Sequence, residues 1–178
     1  MATSVLILPG YQDSGAEHWQ TLWEKENPDF KRVIQNDWEH PICHEWVAKL
    51  EEAVTEAGED VILVAHSLAC LVVAHWDAQK IHSSIKGALF VAPPDPHSVV
   101  FPTTAQGFEN TPMGLLDFPS IIIASTNDPY ATIDYAKSLA KAWGSAFVNV
   151  GDKGHINSAS DIGSWEEGNA YLGQLQRA

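Results

Sequence analysis

Positive charge is scarce in this chain of 178 residues: ten lysines and arginines stand against 23 aspartates and glutamates, giving a formal charge of −13. A surface of that sign repels phosphate backbones and anionic lipid headgroups, which excludes nucleic acid and membrane surfaces as expected partners and leaves neutral or cationic small molecules. Cysteine is scarce too. Cys43 and Cys70 have neither the number nor the spacing of a disulfide framework, and Cys70 lies in an apolar run where a buried thiol is expected. No apolar stretch is long enough for a membrane span: Val5–Leu8 is too short for a signal-peptide core, and the run from Val61 to Trp76 is interrupted by His66 and Ser67. A soluble, cytoplasmic protein is the default expectation. Repeats, low-complexity tracts and charged tails are missing as well, so solenoid and disordered architectures drop out.

What remains is an alternation of strand-like and helix-like segments in a chain of single-domain length, 45% hydrophobic and 19% charged. Short aliphatic runs at Ser4–Leu8, Arg32–Gln35, Val61–Ala65, Ile85–Ala92, Ile121–Ala124 and Ala146–Val150 predict six strands. Apolar residues at helical spacing predict helices over Glu17–Glu26, His44–Glu56, Leu68–Gln79, Thr132–Trp143 and Trp165–Leu175, with Gly58 as a stop for the second. Parallel neighbours need crossover connections, and helices supply them. The expected architecture is therefore α/β: a single domain spanning residues 1–178, with a six-stranded parallel sheet between helical layers. The stretch from Pro93 to Phe118, with five prolines, is predicted to be irregular and is too short for a separate lid domain.

The chemically informative segment is Val61-Ile62-Leu63-Val64-Ala65-His66-Ser67-Leu68-Ala69-Cys70, which sets a serine between a buried strand and an apolar helix. That junction is the setting of a nucleophile elbow, usually written Gly-x-Ser-x-Gly. Its sharp turn demands small residues two positions on either side of the serine. Here Ala65 and Ala69 take the glycine positions. A serine at a helix start can also be a simple N-cap, and on its own the segment leaves both readings open. Later residues favour the nucleophile. Asp128 follows the fifth strand in Asn127-Asp128-Pro129, where it could equally make an Asx turn, and His155 follows the sixth in Gly154-His155-Ile156. Asp95, boxed in by Pro93, Pro94 and Pro96, competes for the acid, and Asp152 stands too near the histidine. His18, His40, His44, His75, His82 and His97 occupy the wrong chain positions for a base. His66, beside Ser67, should be turned elsewhere by the elbow.

Ser67, Asp128 and His155 in that order predict nucleophilic attack on an ester or amide carbonyl, with His155 as base and Asp128 as its orienter. The oxyanion donors expected are the main-chain N–H groups of Leu68, just after the serine, and Tyr11, in the Pro9-Gly10-Tyr11 turn after the first strand. Neither a cofactor nor a metal is called for; a Pro within His40-Pro41-Ile42-Cys43-His44 argues against a metal site there. Most of the seven tryptophans are expected in the core.

Together these residues resemble the small serine hydrolases typified by retinoblastoma-binding protein nine and their bacterial relatives. The resemblance covers nearly the whole chain: Pro9-Gly10-Tyr11, His18-Trp19-Gln20 with Trp23, Asp37-Trp38 with Pro41, His66-Ser67-Leu68, Asn127-Asp128-Pro129 and Gly154-His155-Ile156-Asn157. It implies a minimal α/β-hydrolase fold without a lid, and it carries the catalytic roles onto Ser67, Asp128 and His155 by position. The competing reading of a different class is a catalytically idle hydrolase scaffold kept for protein binding, for which the alanine-flanked elbow would be the reason.

Overall fold

A computed structural model of the chain describes residues 3–79 and 85–178. His82 lies outside the described residues. Six parallel strands form one sheet in the order β2-β1-β3-β4-β5-β6, built from β1 (Ser4–Leu8), β2 (Lys31–Arg32), β3 (Val61–His66), β4 (Ile85–Val91), β5 (Ser120–Ala124) and β6 (Ala146–Asn149). The strands buried on both faces are the ones with unbroken aliphatic runs: every residue of β3 and β5 is buried, and Val5–Leu8 of β1 with them. β1 pairs with β3 in unbroken register from Ser4 opposite Val61 to Leu8 opposite Ala65.

Helices cover both faces. α2 (Cys43–Ala57), α3 (Leu68–Asp77) and α4 (Ile133–Trp143) lie on one, where Trp46, Leu50, Leu71, Leu139 and Trp143 pack with Leu63, Phe90 and Ile122. α1 (Trp19–Glu26) and α5 (Glu166–Arg177) lie on the other, where Trp19, Trp23, Trp165 and Leu172 pack with Ile7, Ile62, Leu89 and Ile123. The alternation of side chains along each strand divides the apolar residues between these two layers. This is the three-layer α/β/α arrangement expected from the sequence. Local endings follow familiar chemistry: Thr132 caps α4 through its hydroxyl, and Gly58 ends α2 at φ 83°.

The principal departure is β2. Expected over Arg32–Gln35, it is two residues long, Lys31–Arg32, and its pairing with β1 is prolonged only by the Val33 N–H to the Ile7 carbonyl. As an edge strand it has one neighbour and little apolar burial to extend it. α1 starts at Trp19 rather than Glu17, because residues 11–18 are taken up by turns. Residues 93–118 contain no helix or named strand, as expected, and are anchored by an isolated bridge between Ile42 and Gln106, by the buried Phe108 and by hydrogen bonds to Tyr130 and Trp143.

The sheet order reverses direction between β1 and β3: the chain leaves β1 for β2 on one side and returns to β3 on the other. A crevice opens at the carboxyl ends of strands flanking such a reversal. The loops after β1, β3, β5 and β6 meet there.

Candidate active site

Ser67 stands at the end of β3 with φ 55° and ψ −125°, a conformation L-residues rarely adopt. Its N–H is tied to the Val91 carbonyl of β4 at 2.9 Å, which helps hold the strained turn. As the first residue outside α3 it makes no side-chain cap bond. The hydroxyl turns outward and lies 2.7 Å from His155 Nε2. The capping alternative therefore does not describe Ser67. Ala65 and Ala69 are buried in the flanking strand and helix.

Gly10 leaves no room for a methyl group. A Cβ there would fall 2.9 Å from the His66 carbonyl oxygen and 3.0 Å from Ser67 Cβ. The turn after β1 thus rests directly on the elbow, with the Gly10 Cβ position 3.3 Å from the Leu68 nitrogen. Tyr11 and Leu68 both line the cavity over Ser67.

His155 Nδ1 lies 2.9 and 3.0 Å from the two oxygens of Asp128, whose side chain is 3% exposed. A carboxylate only accepts, so Nδ1 carries the ring hydrogen and Nε2 is left to accept from the Ser67 hydroxyl. Asp128 Oδ1 also accepts the Tyr130 N–H at 2.9 Å. The Asx turn and the contact with histidine coexist. The two loops are laced together beyond this pair: Asn127 Oδ1 accepts the Gly154 N–H at 2.7 Å, Ser125 Oγ accepts the Lys153 N–H at 2.9 Å, and the Thr126 N–H donates to the Gly151 carbonyl. Asp95 is turned away, accepting the His97 N–H, while its own N–H donates to the Tyr130 carbonyl.

Two histidines set aside in the sequence belong to the site. His66 points away from the Ser67 hydroxyl, as expected, but its Nε2 donates to the His155 carbonyl at 2.9 Å. Burial holds its pKa well below the usual range, and His18 and His155 add to the effect, so the ring is neutral. His18 lines the same cavity; its ring meets that of His66 edge-on at 4.7 Å. Nothing in the sequence signals either contact, since each spans elements far apart in the chain. Trp19 is buried in the core, as expected for most of the tryptophans, and also donates its indole N–H to the Ile156 carbonyl at 2.8 Å. The cavity these groups enclose measures about 390 Å³ and is walled further by Phe101 and Pro102 of the irregular 93–118 stretch. His40, by contrast, is exposed and faces Asp37 at 3.2 Å, while Cys43 and Cys70 are buried and unpaired thiols. No helix among the described residues is long and apolar enough to cross a membrane.

The sequence profile of the serine hydrolase family matches residues 5–174. The chain belongs to that serine hydrolase family. Solved structures agree. The chain is 31% identical to a YdeN-like hydrolase of Pectobacterium atrosepticum, covering 99% of this chain and 91% of that one with a TM-score of 0.87. The ydeN gene product of B. subtilis superposes with a TM-score of 0.85 at 19% identity, over 99% and 100% of the two chains. A bromoperoxidase of Bacillus anthracis shares the fold at 13% identity, over 100% of this chain and 93% of that one, with a TM-score of 0.75. No curated protein sequence matches the chain. The serine hydrolase thus has the α/β-hydrolase fold.

Proposed function

We propose that this serine hydrolase cleaves small esters or amides through a Ser67–His155–Asp128 triad and an acyl-enzyme intermediate. The observation that carries the proposal is the unbroken hydrogen-bonded line from Ser67 Oγ through His155 Nε2 and Nδ1 to the buried Asp128 carboxylate. Ser67 attacks the substrate carbonyl carbon as its proton passes to His155 Nε2, and Asp128 steadies the imidazolium that forms. The bond to the leaving group then breaks, and the leaving atom takes the proton from His155. Water repeats the sequence on the acyl-enzyme: His155 accepts a proton from it, the acid leaves, and the proton returns to Ser67.

The main-chain N–H groups of Tyr11 and Leu68 are assigned to the oxyanion. Leu68 opens α3, where the first N–H groups have no intrahelical acceptor and the helix end is partly positive. The contact of Gly10 with the elbow supports Tyr11 as the second donor. A cavity of about 390 Å³ is at the small end of ligand sites, and no lid domain covers it among the described residues, which favours small soluble substrates over bulk lipid.

Labelling by a fluorophosphonate probe, with wild type, Ser67→Ala and His155→Ala compared, tests this reading. Labelling of wild type alone is the expected result. A folded wild type that does not label would overturn it and leave the idle scaffold in its place.

A further inference from the structure

His18 uses one ring nitrogen and leaves the other without an acceptor. Nδ1 accepts the Gln20 N–H at 3.2 Å and so caps α1, which puts the hydrogen of the neutral ring on Nε2. Burial, with Arg32 and His155 nearby, pushes the pKa down to about 3, so the ring stays neutral. Nε2 is buried and has no hydrogen-bond partner. The residue is only 4% exposed, yet it lines the cavity that holds Ser67 and His155. Its ring neighbours do not satisfy the donor: Trp19 offers only an N–H, and His18 Nε2 makes no hydrogen bond to either ring nitrogen of His66. A buried donor of this kind destabilises the chain unless an acceptor comes from outside.

We propose that the His18 Nε2–H is a recognition donor for the substrate, and that the preferred substrates are small esters or amides bearing a neutral acceptor oxygen near the scissile bond. The oxygen belongs to an ether, a hydroxyl or a second carbonyl. It does not belong to a carboxylate, because no lysine or arginine lines the cavity and Asp13 does. Gln12 and Ser158, which also line the cavity, suit an oxygenated substrate better than a plain alkyl one. The inference rests on the hydrolase reading above.

The test compares matched esters in which an oxygen replaces a methylene. p-Nitrophenyl methoxyacetate against p-nitrophenyl butyrate probes the acyl side, and 2-methoxyethyl acetate against butyl acetate probes the alcohol side. Each is read as kcat/KM and as protection against fluorophosphonate labelling. His18→Asn keeps an acceptor for the Gln20 N–H, and His18→Phe keeps a ring; circular dichroism verifies the fold of both. Dividing each variant's oxygen-to-methylene ratio by that of wild type removes the intrinsic reactivity of the esters. On at least one side the ratio should fall about tenfold in both variants. If wild type labels and cleaves but the ratios are unchanged on both sides in either variant, the His18 assignment fails, as it would were the donor satisfied by a trapped water alone. If wild type neither labels nor cleaves, the hydrolase reading fails and takes this one with it.

Discussion

His66 Nε2 donates a 2.9 Å hydrogen bond to the main-chain carbonyl of His155. The residue immediately before Ser67 thereby holds the backbone of the imidazole that faces Ser67, and the elbow positions both ends of the Ser67–His155 contact. Trp19 pins the next carbonyl, that of Ile156, from the opposite element α1. The loop after β6 is tied on one side to the loop after β5 through Ser125 and Asn127, and the His66 and Trp19 contacts hold it from other elements. Two adjacent carbonyls fixed by two rings restrict it.

His66→Phe keeps a ring of similar size and removes the donor. kcat should fall about tenfold with KM nearly unchanged, because a loosened base costs orientation rather than ground-state binding. His66→Gln, whose amide can donate to the same carbonyl, should recover part of the loss. Steady-state kinetics on a p-nitrophenyl ester decides it; a rise in KM with kcat unchanged would assign His66 to binding instead.

The same two neutral histidines set a pH dependence of stability. His18 and His66 both have folded-state pKa values below the unfolded value near 6.5. The unfolded chain therefore binds more protons as pH falls below about 6.5, and the stability present above that value is lost on the way down toward the folded-state values. Each fully titrating group contributes a slope of about 1.4 kcal/mol per pH unit. Urea unfolding at pH 7.5, 6 and 5 should give a falling midpoint across the series, with a shallower fall in His18→Phe than in wild type. Equal slopes in the two proteins would refute the assignment to His18.

Strands and helices were legible wherever burial is continuous. β1 has the same bounds in sequence and structure, Ser4–Leu8, because an aliphatic run ended by Pro9-Gly10 allows few alternatives. β2 was misjudged because a two-residue edge strand leaves almost no periodicity to read. The short 3-10 turn Ser158–Ser160, capped by Asn157, escaped for the same reason. At the site, strand ends, chain order and the family resemblance together picked out Ser67, Asp128 and His155, whose side chains meet in the structure. The use of His66 and His18 was not legible, since the His66–His155 bond joins positions 89 residues apart and a histidine in sequence says nothing about which nitrogen is engaged. Asn127 is visible in the sequence as a polar residue beside the acid after a clean strand end, but its bond to the Gly154 N–H is not.

Gly10→Ala should injure activity more than folding. The added methyl would lie 2.9 Å from the His66 carbonyl oxygen and 3.0 Å from Ser67 Cβ, and main-chain atoms cannot swing aside as a flexible side chain can. The turn after β1 must retreat from the elbow, moving the Tyr11 N–H relative to that of Leu68. A misplaced oxyanion donor costs on the order of a hundredfold in kcat. The accompanying overpacking costs about 1–3 kcal/mol, small enough for the protein to stay folded. Kinetics together with thermal unfolding separates the two effects, and a variant with full activity would remove Tyr11 from the oxyanion site.

Asp128→Asn isolates the orientation of His155 from its surroundings. The asparagine can keep the Tyr130 N–H bond through Oδ1, so the turn leading to α4 need not change. The other arm then presents an NH2 to His155 Nδ1 in place of a carboxylate oxygen. An NH2 3.0 Å from that nitrogen opposes a hydrogen there although Oδ1 can still accept one, so the tautomer with the hydrogen on Nε2 is favoured, and in it Nε2 cannot take the proton of Ser67. kcat should drop by about 10⁴, with KM and the unfolding midpoint close to wild type. Raising the pH should not restore the rate, because the fault is the wrong tautomer of a neutral ring rather than its protonation. A loss of less than tenfold would mean that Asp128 serves the turn alone and that the base is oriented by the two carbonyl bonds from His66 and Trp19.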